Sequence, residues 1–295
     1  MDPTPLADES NLHRLRRAAA VALAGGAALL VGLLIGVVSV FAPAAGRPGD
    51  QTAGELAGSL AGGLADRAID HGTGTGAISG LIGLAVPAAL AEALYMLAAL
   101  LVLHALPAHR AAGEVFARFG PANHITLLRL VLVALLAALL AMPLDASLRW
   151  FVVATASLAA ALDGLDGALA RRTGLGSAFG ARFDMETDAL LVMVLSLLVW
   201  HAEVAGVWAL LSGLLRYLFV AAATVWPWLA RTLPASLRRK TVCVLQIVLL
   251  IACLVPGLPA GVSAALAAIG LALLLHSFGT DVVWLHRHRS PGRSR

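Results

Sequence analysis

The chain has 295 residues, 60% of them hydrophobic and 13% charged, with a formal net charge of +4 and a mean hydropathy of +0.87. A soluble domain is about 25% charged, so this composition excludes an ordinary water-soluble enzyme and points to a membrane protein. The basic balance does not indicate a nucleic-acid partner, because Lys and Arg are dispersed at the ends of apolar runs and no RNA- or DNA-binding pattern accompanies them.

The apolar residues gather into runs long enough to cross a hydrocarbon core of about 30 Å, which takes roughly 20 helical residues. Helices rather than a barrel are implied. Eight spans are predicted, near 18–42, 77–105, 124–142, 148–169, 182–200, 205–227, 241–258 and 261–283. The first follows Arg14, Arg16 and Arg17 and ends near Ala42-Pro43-Ala44, as a signal peptide would. Its apolar run exceeds the roughly 7–15 residues of a signal core, so a retained anchor is expected. Between the first two spans, Leu56, Leu60 and Leu64 share one helical face, the pattern of a helix lying at the membrane interface. Gly72, Gly74 and Gly76 lack the Lys-Ser/Thr and the preceding strand of a phosphate loop. Val115, Phe116 and Phe119, beside Arg110 and Arg118, suggest a short amphipathic helix before the third span. Cys243 and Cys253 stand ten positions apart in one span, too far along a helix to bridge.

Lys and Arg accumulate in cytoplasmic loops. With the N-terminus inside, all 21 of them face the cytoplasm, Arg129 included, except Arg47, Arg67, Arg149 and the mid-span Arg216. The chain therefore reads as an all-α integral protein of the cytoplasmic membrane. Residues 1–120 form an accessory region with two transmembrane helices, 121–285 a six-helix core and 286–295 a basic tail.

Chemistry concentrates where the fourth span ends and the fifth begins. Asp163 and Asp166 are spaced i,i+3, and Asp184 and Asp188 i,i+4, so each pair lies on one face of its helix. Pairing with Arg171, Arg172 and Arg182 accounts for one or two of these acids, not for four on matched faces. Carboxylates clustered at a membrane boundary repel unless cations neutralise them. An oxygen-only ligand set suits Mg²⁺ or Mn²⁺ rather than Zn²⁺. Two such ions could hold a pyrophosphate.

The run Asp163-x-x-Asp166-Gly167-x-x-Ala170-Arg171, eight residues, then Gly180-x-x-x-Asp184-x-x-x-Asp188 resembles the complete signature of the CDP-alcohol phosphatidyltransferase family, and no position departs from it. The resemblance covers about residues 121–285 and implies a six-helix core that usually dimerises. It implies that Asp163, Asp166 and Asp184 hold a divalent metal pair, with Asp188 beside it as a further ligand and as general base. Gly167, Ala170, Arg171 and Gly180 would line the cytidine nucleotide pocket, where small residues admit the ligand and a guanidinium matches phosphate oxygens. The implied reaction is attack of a small alcohol on the β-phosphorus of CDP-diacylglycerol at the cytoplasmic face, with release of CMP.

The signature does not choose among glycerol 3-phosphate, inositol phosphate, serine, choline or another alcohol. Arg216, the one basic residue assigned to a span interior, has two open readings: contact with an acceptor phosphate, or a salt bridge to an inward Asp or snorkelling toward an interface. Lys240 lies in the Arg238–Lys240 cluster at the start of the next span, where topology alone explains a basic residue and phosphate contact is the alternative. Together they tilt the acceptor toward glycerol 3-phosphate. His276, Ser277, Phe278 and Asp281 have two readings, an extension of the site or a cap and anchor for the last span, and the second is preferred. A divalent-cation transporter would use the same carboxylates without needing Ala170 and Arg171, and a silent lipid-binding scaffold has no mark in the sequence.

Overall fold

Each long apolar run is helical wherever the computed structural model describes it, which is over residues 5–41, 89, 91–96, 110–111, 114–115, 121–173, 178–231, 233–234 and 236–288. The interfacial stretch at 47–76, the phosphate-loop candidate within it and most of the predicted span at 77–105 lie outside the described residues. So do the basic tail beyond 288 and the side chains of residues 165–173.

Among the described residues seven long helices follow one another: α1 (Pro5–Phe41), α2 (Pro121–Ala138), α3 (Ala146–Thr173), α4 (Ala178–His201), α5 (Leu211–Val225), α6 (Leu237–Cys253) and α7 (Ala260–Arg287). A tight helical turn at Leu139–Ala141 extends α2, and another at Val207–Leu210 leads into α5. Residues 91–96 form a further helical segment. Arg110–Ala111 (β1) and Glu114–Val115 (β2) make a two-residue antiparallel pair, so Val115 is in a strand rather than the expected amphipathic helix. The other residues of that expected helix, Phe116, Arg118 and Phe119, lie outside the described residues.

Turn chemistry sets the helix ends. Asp145 caps α3, its carboxylate accepting from the Leu148 N–H at 2.7 Å. Gly257 takes φ +86° in the turn between α6 and α7, a conformation glycine adopts without strain. At that same end of the bundle the Arg149 Nε donates to the Leu254 carbonyl at 3.2 Å, and His201 Nε2 meets the Met142 carbonyl at 2.9 Å.

Among the described residues five helices are long and apolar enough to cross a membrane: α1 over Arg14–Val37, α2 with its turn, α3 over Ala146–Gly164, α5 with its turn, and α7. The protein is an all-helical integral membrane protein. Of the other two, α4 carries Arg182, Asp184, Glu186 and Asp188 in its first half, and α6 has only 17 residues. Burial ranks the helices. The apolar window of α2 is 72% buried, against 17–28% for the other four, so α2 is surrounded by protein while the others face outward along much of their length. It packs against α1, α3 and α4.

On α1, Leu15, Ala19, Leu23, Leu30, Leu34 and Val37 are buried at helical spacing, forming the face turned to α2. Tyr95 locks the accessory segment to it, its hydroxyl donating to the Leu23 carbonyl at 2.7 Å. On the other side, α5 approaches α4 so closely that a Cβ on Gly213 would lie 2.6 Å from the Met193 Cα. α6 packs on α3, α4 and α7.

Candidate active site

The site is built on the two helices that carry the acidic signature. Asp163 stands one residue before the end of the apolar window of α3, whose last turns continue beyond it. Gly180, Asp184 and Asp188 follow one another at four-residue spacing on α4 and therefore share one face. The expected convergence is observed for three of the four acids: Asp163, Asp184 and Asp188 can each offer a carboxylate oxygen within 4.8 Å of the others. The side chains of Asp166, Gly167, Ala170 and Arg171 lie outside the described residues, although the backbone there continues as helix.

A residue that the sequence reading counted as ordinary cytoplasmic charge lies at the centre. Arg129 of α2 is 0% exposed, so Arg216 is not the only basic residue inside a span. The Arg129 Nη1 donates to Asp184 Oδ1 at 2.5 Å and lies 3.0 Å from Asp163 Oδ1. Its Nη2 donates to Asp188 Oδ1, and its Nε donates to the Ala159 carbonyl at 3.2 Å. The three carboxylates remain 24%, 38% and 21% exposed for Asp163, Asp184 and Asp188. The guanidinium thus forms the floor and the carboxylates the open rim. Arg129 lies among Leu127, Leu128, Leu130 and Val131, and a charge amid such neighbours is the signal by which it could have been found.

Arg216 is not drawn into this cluster. It pairs with Glu186, which stands two positions from Asp184 and so projects from a different face of α4. Of its two readings the ion pair is observed, with a Glu rather than an Asp as partner. Lys240 is exposed on the first turn of α6. The helix that carries it, α6, packs on α3 and α4, the two helices of the acidic rim. The neighbouring Arg238 donates to the Ser277 carbonyl at 2.8 Å and to Asp281 at 2.5 Å. Ser277 and Asp281 therefore anchor α7 to α6, as expected of that end of the chain.

Three oxygen ligands converging from two helices fit a hard divalent cation. A buried cationic group among them shows that the cluster is shaped around positive charge.

Residues 119–276 match the sequence model of the CDP-alcohol phosphatidyltransferase family. The chain belongs to the CDP-alcohol phosphatidyltransferases. The matched region takes in α2 to α6 and most of α7, including the acidic rim and its arginine floor. Comparison with curated proteins gives no match, and neither does comparison with solved structures. Membership makes the protein a membrane-bound transferase of phospholipid synthesis that acts on CDP-alcohol substrates, in a family that uses divalent metals.

Proposed function

We propose that the protein transfers a phosphatidyl group from CDP-diacylglycerol to glycerol 3-phosphate, releasing CMP, at the cytoplasmic face of the cytoplasmic membrane. The observation that carries this reading is the convergence of Asp163, Asp184 and Asp188 at the end of an apolar span. That position lets the donor's acyl chains stay in lipid while its headgroup reaches the carboxylates.

Asp163, Asp184 and Asp188, with Asp166, would hold the divalent ions, Mg²⁺ or Mn²⁺ and two in number. Bound there, such ions supply charge neutralisation at a pyrophosphate. Gly180, one turn before Asp184, leaves the face of α4 without a side chain, and with Gly167 and Ala170 it gives the cytidine nucleotide room to lie against α3 and α4. Arg171 pairs with a phosphate oxygen. Asp188 takes the proton from the acceptor hydroxyl as the acceptor oxygen bonds to the β-phosphorus and the bond to CMP breaks. General-base assistance of this kind is typically worth about 10²–10⁴ in rate.

Lys240 supports a phosphorylated acceptor, being an exposed cation on the first turn of α6, which packs on α3 and α4. Arg216 would serve as a second cation for the same phosphate only by leaving Glu186, with which it pairs outside the carboxylate cluster. Residues 1–120 act as an accessory region bracing the core, and the enzyme works as a homodimer.

The test is CMP release by purified protein from CDP-diacylglycerol, with and without Mg²⁺ or Mn²⁺, across glycerol 3-phosphate, inositol phosphate, serine and choline. Turnover with glycerol 3-phosphate alone is expected. Unchanged turnover in Asp188→Asn removes the base assignment. Absence of turnover with every acceptor, together with ion flux in vesicles, would favour a cation transporter.

A further inference from the structure

Arg129 has no part in the reaction just described, yet its side chain is wholly buried and reaches every described carboxylate of the site. A guanidinium stays protonated throughout the range in which proteins fold, so its charge is a permanent feature of the centre. Resting on the metal reading of the three carboxylates, we propose that Arg129 is the resident counter-ion of the site. It is a positioning residue that gathers Asp163, Asp184 and Asp188 before a divalent cation binds and then competes with that cation for their oxygens.

Geometry supports the gathering role. Nη1 is shared between Asp163 at 3.0 Å and Asp184 at 2.5 Å, while Nη2 takes Asp188, so one planar fork ties α3 to α4. The Nε bond to the Ala159 carbonyl fixes the plane of that fork. A lysine, with one nitrogen, could not hold three carboxylates in this arrangement. Burial supports the competing role. The arginine lies behind carboxylates that are themselves part-exposed, so a cation arriving from the open side meets oxygens already assembled and already partly neutralised. Among the described side chains three carboxylates face one guanidinium, so negative charge remains for divalent ions to balance.

The experiment measures thermal unfolding of the full-length protein in detergent, without metal and at saturating Mn²⁺, together with Mn²⁺ affinity from the spin-resonance signal of the free ion. For Arg129→Gln the metal-free Tm is expected to fall and Mn²⁺ to bind about tenfold more tightly or better. A divalent ion roughly 5 Å from a unit charge is repelled by that much even at the dielectric constant of water. By linkage, Mn²⁺ then stabilises the variant more than the wild type. A packing role alone would lower Tm equally with and without Mn²⁺ and leave the affinity unchanged, and that result overturns the proposal.

Adding Asp184→Asn to Arg129→Gln removes one negative charge for the positive charge lost, so the double variant should regain metal-free stability. A further loss of stability overturns the counter-ion role, and this arm carries the test alone where Arg129→Gln does not fold. Failure of the wild type to bind Mn²⁺ removes the metal reading and this inference with it. Normal wild-type binding with unchanged affinity in Arg129→Gln removes the inference only.

Discussion

Gly213→Ala tests how firmly α5 sets the position of the acidic helix. The added Cβ would lie 2.6 Å from the Met193 Cα, 2.7 Å from Ser196 Oγ and 2.8 Å from Met193 Sδ. The hydroxyl and thioether can rotate away, but the Cα cannot, so α4 and α5 must part by roughly 1 Å to reach ordinary contact. Two effects oppose each other. Replacing Gly in a helix gains about 1 kcal/mol of propensity, and overpacking costs about 1–3 kcal/mol. With backbone as the obstacle the upper part of that range applies, leaving a net loss of about 1–2 kcal/mol. Met193 is only about 7 Å along the helix from Asp188, and displacements near 1 Å at a reacting centre can lower rate by about 10²-fold. With part of the shift absorbed along the helix, turnover should fall about tenfold to a hundredfold. Thermal unfolding in detergent and CMP release measure the two effects, with Gly25→Ala as control because no atom lies within 4 Å of its added Cβ. A Gly213→Ala enzyme as stable and as active as wild type would refute the reasoning that α5 fixes the register of α4.

Chelation of divalent ions should abolish CMP release, with Mg²⁺ or Mn²⁺ restoring it and Zn²⁺ failing, because the three converging ligands are all carboxylate oxygens. Lys240→Ala should raise KM for glycerol 3-phosphate about tenfold or more with little change for CDP-diacylglycerol, as loss of one charge-assisted phosphate contact predicts. Arg216→Ala should change Tm little, since ion pairs as exposed as Arg216 with Glu186 contribute about 0–1 kcal/mol. Its effect on the acceptor KM then shows whether this second cation reaches the phosphate. Tyr95→Phe removes the hydrogen bond to the Leu23 carbonyl and should cost about 1–2 kcal/mol, read as a lower Tm, because a buried acceptor loses its side-chain donor.

The acidic signature was legible because helical spacing dictates which side chains share a face. The i,i+4 pair Asp184 and Asp188 meets the same guanidinium, as that rule requires. The helices of the core were legible because long apolar runs fold as helices, although among them only α2, α3, α5 and α7 are long and apolar enough to cross a membrane, and caps and turns such as Asp145 and Gly257 shifted their ends by several residues. Arg129 escaped notice for a physical reason: a basic residue near the start of a span is what membrane topology produces anyway. Only the fold shows that α2 is the most enclosed of the apolar spans and that no lipid-facing route suits its charge. The partner of Arg216 was hidden similarly, since Glu186 belongs to another helix and no sequence period relates the two.

The placement of α4 explains how a membrane bundle can hold such a cluster. Alone, α4 is a poor membrane span, because Arg182, Asp184, Glu186 and Asp188 occupy its first half, and a charge at a span centre costs roughly 2.5–3.5 kcal/mol on insertion scales. Its neighbours α2, α5 and α6 take the place of lipid around it, and apolar residues from Leu191 to Val199 bury its second half. The Asp, Glu and Arg side chains of α4 are then confined to one end, where α3 also leaves its apolar window just after Asp163. The most enclosed helix, α2, contributes the cation that faces these acids. Charge and exposure therefore run in a gradient across a few ångströms, from a buried guanidinium to part-exposed carboxylates to the open end of the bundle. A soluble acceptor and a lipid-anchored donor can meet at that end without either crossing the membrane.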